Sequence, residues 1–178
     1  NTASFLNDCF ESTDRCYILL GSETKDSNGV YFPSYYSKGW FLKVDTLGNV
    51  INSKTIGSIA NYDQLKSGIQ LGNNYYLVGL TLSYAPSYVT NGFDRWDGWL
   101  VKTDMQGNAI ADAAFGNPEL MDGELSVCRV VEQNKIGVIY KKAIYKYSTG
   151  WLKYIYKTGL LVLNEDLTIN KEIFFREE

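Results

Sequence analysis

Apolar and polar residues alternate along this chain in short runs separated by clusters of Ser, Asn, Asp and Gly, and that period of two predicts strands. Residues 3–10 make a first run, which turns through Ser12-Thr13-Asp14 into a second at 16–21, apolar at successive positions. A stretch rich in Ser, Asn, Gly and Tyr, 23–38, precedes a strand over 40–45, and an Asp-x-x-Gly-Asn turn leads to a last strand, 50–56. That turn suits a type I bend with glycine in the left-handed conformation. Four strands in this order make one antiparallel meander. No segment keeps apolar spacing at three and four residues between capping signals, so no helix is expected.

The pattern then repeats. Gly39-Trp40-Phe41-Leu42-Lys43-Val44-Asp45-Thr46-Leu47-Gly48-Asn49-Val50-Ile51 returns 59 residues later as Gly98-Trp99-Leu100-Val101-Lys102-Thr103-Asp104-Met105-Gln106-Gly107-Asn108-Ala109-Ile110, with seven of thirteen positions identical. Around the second copy the same order holds: strands at 65–71 and 75–80, a long connection 81–97, and a closing strand 108–115. A third, eroded unit runs from 125–131 through Glu132-Gln133-Asn134 to 136–140, with a connection at 141–158. There 159–164 takes the place of the signature strand, with Leu160 for tryptophan and the Gly-Asn turn lost to Asp166-Leu167-Thr168. The chain therefore reads as one repeat domain, 1–178, of three units at about 1–58, 59–117 and 118–178. Second strands that are apolar on both faces must bury both against neighbouring sheets, and radial stacking into a β-propeller does this. The expected fold is all-β, a propeller-like array of three four-stranded antiparallel blades.

The phrase Asp97-Gly98-Trp99-Leu100-Val101-Lys102-Thr103-Asp104, followed by Gly107-Asn108, resembles the repeats of secreted bacterial β-propellers, especially surface-exported proteins of the Bacteroidetes type. In those repeats the D-x-W-L-V-K-x-D-x-x-G-N strand pair follows a strand ending in a hydrophobic-Gly-x-Thr/Ser motif, here Leu20-Gly21-Ser22 and Val78-Gly79-Leu80-Thr81. The resemblance covers two units well and the third weakly. It implies an extracellular or outer-membrane surface location and a scaffold or binding role, and it brings no fixed catalytic residues, since one fold hosts many functions. Propellers typically have about four to eight blades, and three are counted here. The chain is expected to be part of a longer polypeptide or to be completed by a partner: two copies making a six-bladed ring, or an open arc packed against another protein.

Composition narrows the chemistry. The net charge of -3 argues against nucleic acid, whose binding rests on clustered Lys and Arg. No apolar run approaches the roughly 20 residues of a membrane-spanning helix. There is no histidine, which removes serine–histidine and cysteine–histidine mechanisms and the commonest transition-metal ligand. Fourteen tyrosines and four tryptophans are more than a core of this size takes up.

Many of those aromatics fall in the three connections between second and third strands: Tyr31, Phe32, Tyr35 and Tyr36; Tyr84, Tyr88, Phe93 and Trp96; Tyr145, Tyr147, Trp151, Tyr154 and Tyr156. Such loops project on one face of a propeller. Aromatic and polar residues there suit stacking on sugar rings, with Asp26, Asn28, Asn91, Asp94 and Asp97 as acceptors, and equally suit a protein partner. The candidate binding residues are Tyr35, Tyr36, Tyr84, Tyr88, Asp94, Trp96, Tyr147 and Trp151. The competing structural account makes the loops extended hairpins whose aromatics pack on each other. The alternation of Lys141–Tyr147 and Trp151–Lys157 around Ser148-Thr149-Gly150 predicts that the third sheet continues outward as a hairpin.

Other chemistry is weaker. Asp94 with Asp97, or Asp26 with Asn28, lacks a full calcium loop. Glu119, Asp122 and Glu124 cluster in one connection with no carboxylate to face them across a cleft. Cys9 and Cys128 occupy similar places on the first strands of units one and three, where unit two has Gly68; Cys16 lies across the first hairpin from Cys9, so either a disulfide or, preferred, free thiols is expected. Neither a metal nor a cofactor is expected. The function expected is a non-catalytic extracellular binding or interaction module that contacts a glycan or a protein, as a homodimer or as a subunit of a larger complex. The alternatives are a glycan-processing hydrolase with carboxylates in an axial pocket, and a purely structural subunit.

Overall fold

A computed structural model describes residues 2–25, 37–57, 62–82, 97–115, 125–132, 134–148 and 151–175 of the protein. Among these every regular element is a strand. β1 (Thr2–Glu11), β2 (Tyr17–Lys25), β3 (Ser37–Val44) and β4 (Val50–Ile56) form the first sheet; β5 (Asp63–Leu71), β6 (Asn74–Thr81), β7 (Asp97–Thr103) and β8 (Ala109–Phe115) the second; β9 (Leu125–Glu132), β10 (Lys135–Ser148), β11 (Trp151–Asn164) and β12 (Ile169–Phe174) the third. Each is an open antiparallel sheet whose spatial order is its chain order.

The sheets stack in one sense. Every strand points alternate residues to opposite faces, and two apolar clusters use those faces in turn. Ile18, Leu20, Phe41 and Ile56 of the first sheet meet Leu65, Tyr75, Leu77, Trp99 and Val101 of the second. Tyr76, Val78 and Leu100, on the opposite face of the second sheet, meet Ile136, Val138, Tyr140, Leu161 and Leu163 of the third. The middle sheet thus buries both faces, which is why β6 runs Tyr-Tyr-Leu-Val-Gly-Leu from 75 to 80 and is buried from Tyr75 to Thr81. Burial of each large side chain contributes about 1.5–3 kcal/mol. A forward face, toward the next sheet, and a rear face, toward the preceding one, can be assigned to every sheet.

The third unit departs from its sequence alignment in an instructive way. The hairpin register makes Trp40 the partner of Gly21 and Trp99 the partner of Gly79. In the third sheet the corresponding pair is Gly159 with Tyr140, so Gly159, and not Leu160, stands where the tryptophans stand. The sizes are exchanged across the strands: large on the third strand in two sheets, large on the second strand in the last. The polar tip is kept as well. Trp40 Nε1 donates to Ser53 Oγ at 2.9 Å and Trp99 Nε1 to Asp112 Oδ2 at 3.1 Å, while the Tyr140 hydroxyl donates to Glu172, at the matching place on the fourth strand.

The turn that the sequence alignment gives as lost from the third unit is present. Gly48 N–H donates to Asp45 O and Asp45 N–H to Asn49 O; Gly107 and Asp104 do the same with Asn108, and Leu167 and Asn164 with Thr168, all at 3.0–3.1 Å. The left-handed position is Gly48 (φ 85°), Gly107 (φ 76°) and Leu167 (φ 70°). Leucine is tolerated there because of what it covers. A Cβ at Gly107 would lie 2.5 Å from the Phe41 ring of the preceding sheet, whereas Leu167 is buried in the cluster containing Leu100, the residue equivalent to Phe41. A large residue faces a glycine at one joint, and two leucines share one buried cluster at the other.

The Cys9, Gly68 and Cys128 equivalence holds in the register, each lying opposite the matching residue of its second strand: Leu19, Leu77 and Val138. The need for a small residue has a local cause: a Cβ at Gly68 would come within 2.8 Å of Leu20 Cδ1 and 3.1 Å of Phe10 Cε1, both on the preceding sheet.

Candidate functional site: the end of the sheets where the long connections leave

In each meander the first and third turns lie at one end and the second connection leaves at the other. The joint between sheets shows that these ends coincide. At the turn end, Gln70 of β5 accepts from Thr13 N–H at 2.8 Å and donates to Thr13 Oγ1 at 2.7 Å. Lys43 Nζ donates to the Met105 carbonyl at 3.3 Å, and its equivalent Lys102 donates to the Glu165 carbonyl at 3.1 Å. Tyr76 also donates to that carbonyl, and Lys102 Nζ lies 5.4 Å from the Tyr76 ring centroid. The lysine of the W-x-x-K phrase is therefore a sheet-to-sheet connector.

Lys43 is the more buried of the two, and its charge is met by Asp14 of the first turn at 2.6 Å and the Tyr75 hydroxyl at 3.4 Å. Burial pulls the Lys43 ammonium down, and the hydrogen bonds to Asp14 and Tyr75 outweigh it, leaving it raised. The hydrogen bond from Lys43 comes first, and that from Ser12 second, in holding the Asp14 carboxyl at about 2.

At the opposite end, Ser37 at the start of β3 forms a parallel bridge with Tyr62, just before β5. Ser37 Oγ donates to the Asp63 carbonyl at 3.1 Å, Thr81 Oγ1 donates to Asp63 Oδ1 at 2.6 Å, and Leu82 N–H donates to the Tyr62 carbonyl at 3.1 Å. Asp63 is fully buried, packed against Gly57, where a Cβ would lie 2.1 Å from its Oδ2. This network joins the end of the first connection, 26–36, to the start of the second, 83–96. Sequence reading missed Asp63; the only signal for it was Thr81, the last residue of the Val78-Gly79-Leu80-Thr81 phrase.

Of the candidate binding residues, Tyr35, Tyr36, Tyr84, Tyr88, Asp94 and Trp96 lie outside the described residues, as do Tyr31, Phe32 and Phe93, the acceptors Asp26, Asn28 and Asn91, and the carboxylates Glu119, Asp122 and Glu124. Asp97 opens β7, buried, opposite Thr81. Tyr147 and Trp151 are in the third connection, which continues the sheet as expected: β10 and β11 stay paired through Tyr147↔Leu152 and Ser148↔Trp151, bringing the two positions together at the tip. The same ladder sets Tyr145 opposite Tyr154, Lys142 opposite Lys157 and Lys146 opposite Lys153.

Among the described residues no three His, Cys, Asp or Glu side chains converge to hold a metal ion, and no helix is long and apolar enough to cross a membrane. Cys9 and Cys16 are free thiols. Burial, and secondarily Asp8 and Asp14 respectively, pushes both upward, away from the reactive thiolate.

Fold and site together define an all-β repeat array: three four-stranded meanders joined face to face, with the start of β3 tied to the end of β6 through Asp63. No protein-family model matches the sequence, and no curated protein matches it.

Proposed function

We propose that the chain is a non-catalytic binding or interaction module of β-propeller type, working at an extracellular or outer-membrane surface. Its aromatic connections contact a glycan or a protein partner. The observation that supports this reading is the Ser37–Tyr62–Asp63–Thr81 network, which holds the start of β3 and the end of β6, the strand ends that flank the first two connections, on buried anchors. Loops held at their bases by a rigid sheet are where recognition is ordinarily placed. The third connection adds a paired ribbon that carries one tyrosine pair and two lysine pairs, a combination suited to sugar rings and to acidic groups.

An array of neutral and acidic microbial and plant polysaccharides tests the glycan arm directly. The wild-type chain is expected to bind at least one class. A Trp96→Ala, Tyr147→Ala double variant with unchanged melting temperature is expected to lose that signal by about tenfold or more, the worth of one or two aromatic anchors. Equal binding by the variant would remove this face from consideration.

A further inference from the structure

The joint between sheets is built twice within the chain, and each joint needs a forward face and a rear face. Among the described residues one of each has no sheet packed against it. Tyr75, Leu77, Trp99, Val101 and Thr103 form the rear face of the second sheet, all buried under the first. Their counterparts in the third sheet, Ile136, Val138, Leu161 and Leu163 with the Tyr140–Gly159 pair, are buried under the second. In the first sheet the same positions are Tyr17, Leu19, Trp40, Leu42 and Val44, and none is buried; Tyr17 is 40% exposed. Cys9, at the place of Gly68, is exposed on this face too. The left-handed Gly48 of this sheet has no atom within 4 Å of an added Cβ, where Gly107 meets Phe41.

Among the described residues no sheet covers the forward face of the third sheet, on which Val162 is buried at 8% exposure and Leu160, Ile139 and Ile173 are not. Leu160, the equivalent of Phe41 and Leu100, is half-buried with its cross-strand neighbours Ile139 and Ile173, and Phe175, the equivalent of Ile56, is 49% exposed. The excess charges on the two faces are opposite in sign. By register the open rear face carries Glu11 and Glu23, the latter opposite Lys38, and the open forward face carries Lys135, opposite Glu132, with Lys141 and Lys171. Glu11 holds the position at which Gln70 reaches across to Thr13 of the preceding sheet.

We infer that a second copy of this chain covers the forward face of the third sheet with the rear face of its own first sheet, so that copies join head to tail through a third version of the internal joint. Leu42 and Leu160 lie at its centre, as Val101 and Phe41 do at the first joint. One difference sets the character of this joint: Val162 replaces the connector lysine of the other two forward faces, so it is more apolar and lacks the lysine-to-carbonyl bond. A head-to-tail contact either closes into a ring or runs on as a filament, and both put Leu42 against Leu160.

The test is solution mass by light scattering over a concentration series, with Leu42→Asp and Leu160→Asp. The wild type is expected at two or more times 20.1 kDa. Each variant alone is expected to associate at least about a hundredfold more weakly, because it buries an unpaired carboxylate. An equimolar mixture of the two is expected to recover association, since it pairs one intact forward face with one intact rear face. A wild type that stays monomeric at every concentration overturns the inference. So does a loss confined to one of the two variants, which means like faces pair. The unmodified chain supplies a second readout, independent of whether the variants fold: alkylation of Cys9, followed by peptide mapping, is expected to slow as concentration rises, and a constant rate overturns the inference.

Discussion

Tyr140 and Gly159 are direct cross-strand partners, and an added Cβ on Gly159 would lie 2.6 Å from Tyr140 Cε1. In the other two sheets the glycine is on the second strand and the aromatic on the third. The repeat preserves the volume of the pair and the hydrogen bond from its aromatic tip to the fourth strand, and lets the residue types change places.

Gly159→Ala is therefore expected to destabilise the chain by about 1–3 kcal/mol through overpacking, since Ile173 O, at 2.9 Å from the added Cβ, closes the other side. Restoring the arrangement of the first two sheets, Tyr140→Gly with Gly159→Trp, is expected to be more stable than either single change. A double-mutant cycle in urea measures this; purely additive losses would mean that the two positions are not exchangeable.

Three equivalent left-handed positions predict three different costs. Gly48→Ala is expected to lose about 1 kcal/mol in dilute solution, the conformational cost alone, because the space beside it is open. Gly107→Ala adds a clash with the Phe41 ring and is expected to cost about 2–4 kcal/mol. Leu167→Gly relieves the φ of 70° but removes a buried side chain, for a net loss of about 1–3 kcal/mol. Equilibrium denaturation ranks them.

The Asp14–Lys43 pair predicts an asymmetry and a pH window. The Lys43 side chain is 7% exposed and that of Asp14 43%. Asp14→Asn strands a buried ammonium, whereas Lys43→Met leaves a carboxylate that water reaches, so the first is expected to be the more costly at neutral pH. For the exposed partner solvent screening keeps the loss to about 1 kcal/mol. Asp14 titrates at about 2 in the fold against 3.8 ordinarily. A depressed carboxyl contributes stability above its unfolded value and loses it as pH falls through the folded one. The wild-type advantage over Asp14→Asn is expected to be nearly full above about pH 4, to shrink as pH falls toward 2 and to be gone only below it, read from melting temperatures across that range.

Strands, meanders and turns were legible because strand period and turn chemistry are local. Asp45 and Asp104 accept from the N–H groups two and four residues on, a requirement written in the Asp-x-x-Gly-Asn spacing itself. In the third unit Leu167 fills a glycine position and Gly159 a tryptophan position, because packing constrains sums of volumes across two strands or two sheets, and a position-by-position alignment cannot see such a sum. The connector role of Lys43 and Lys102 was hidden for a related reason: its partner is a backbone carbonyl on another unit, which no side-chain pattern announces. The first two aromatic connections carried composition without periodicity, so their residues could be nominated but not arranged, whereas the alternation of the third announced its paired ribbon. Asp63 was invisible because one buried carboxylate between an ordinary tyrosine and glutamine has no local signature.

The two signature tryptophans supply the last prediction, because identical sequence phrases here sit in unlike surroundings. Trp99 is 3% exposed in the cluster joining the first two sheets, and its ring also bounds Gly39, where an added Cβ would lie 3.3 Å from Trp99 Cζ3. Trp40 is half-buried on the uncovered rear face, its indole nitrogen bonded to Ser53. Trp99→Ala is expected to cost about 3–5 kcal/mol, the range for a large aromatic removed from a packed core, while Trp40→Ala in dilute solution is expected to cost about 1 kcal/mol. Denaturation midpoints measured at low protein concentration separate the two. Equal losses would mean that Trp40 is already covered within a single chain, and that would count against the open rear face on which the head-to-tail joint depends.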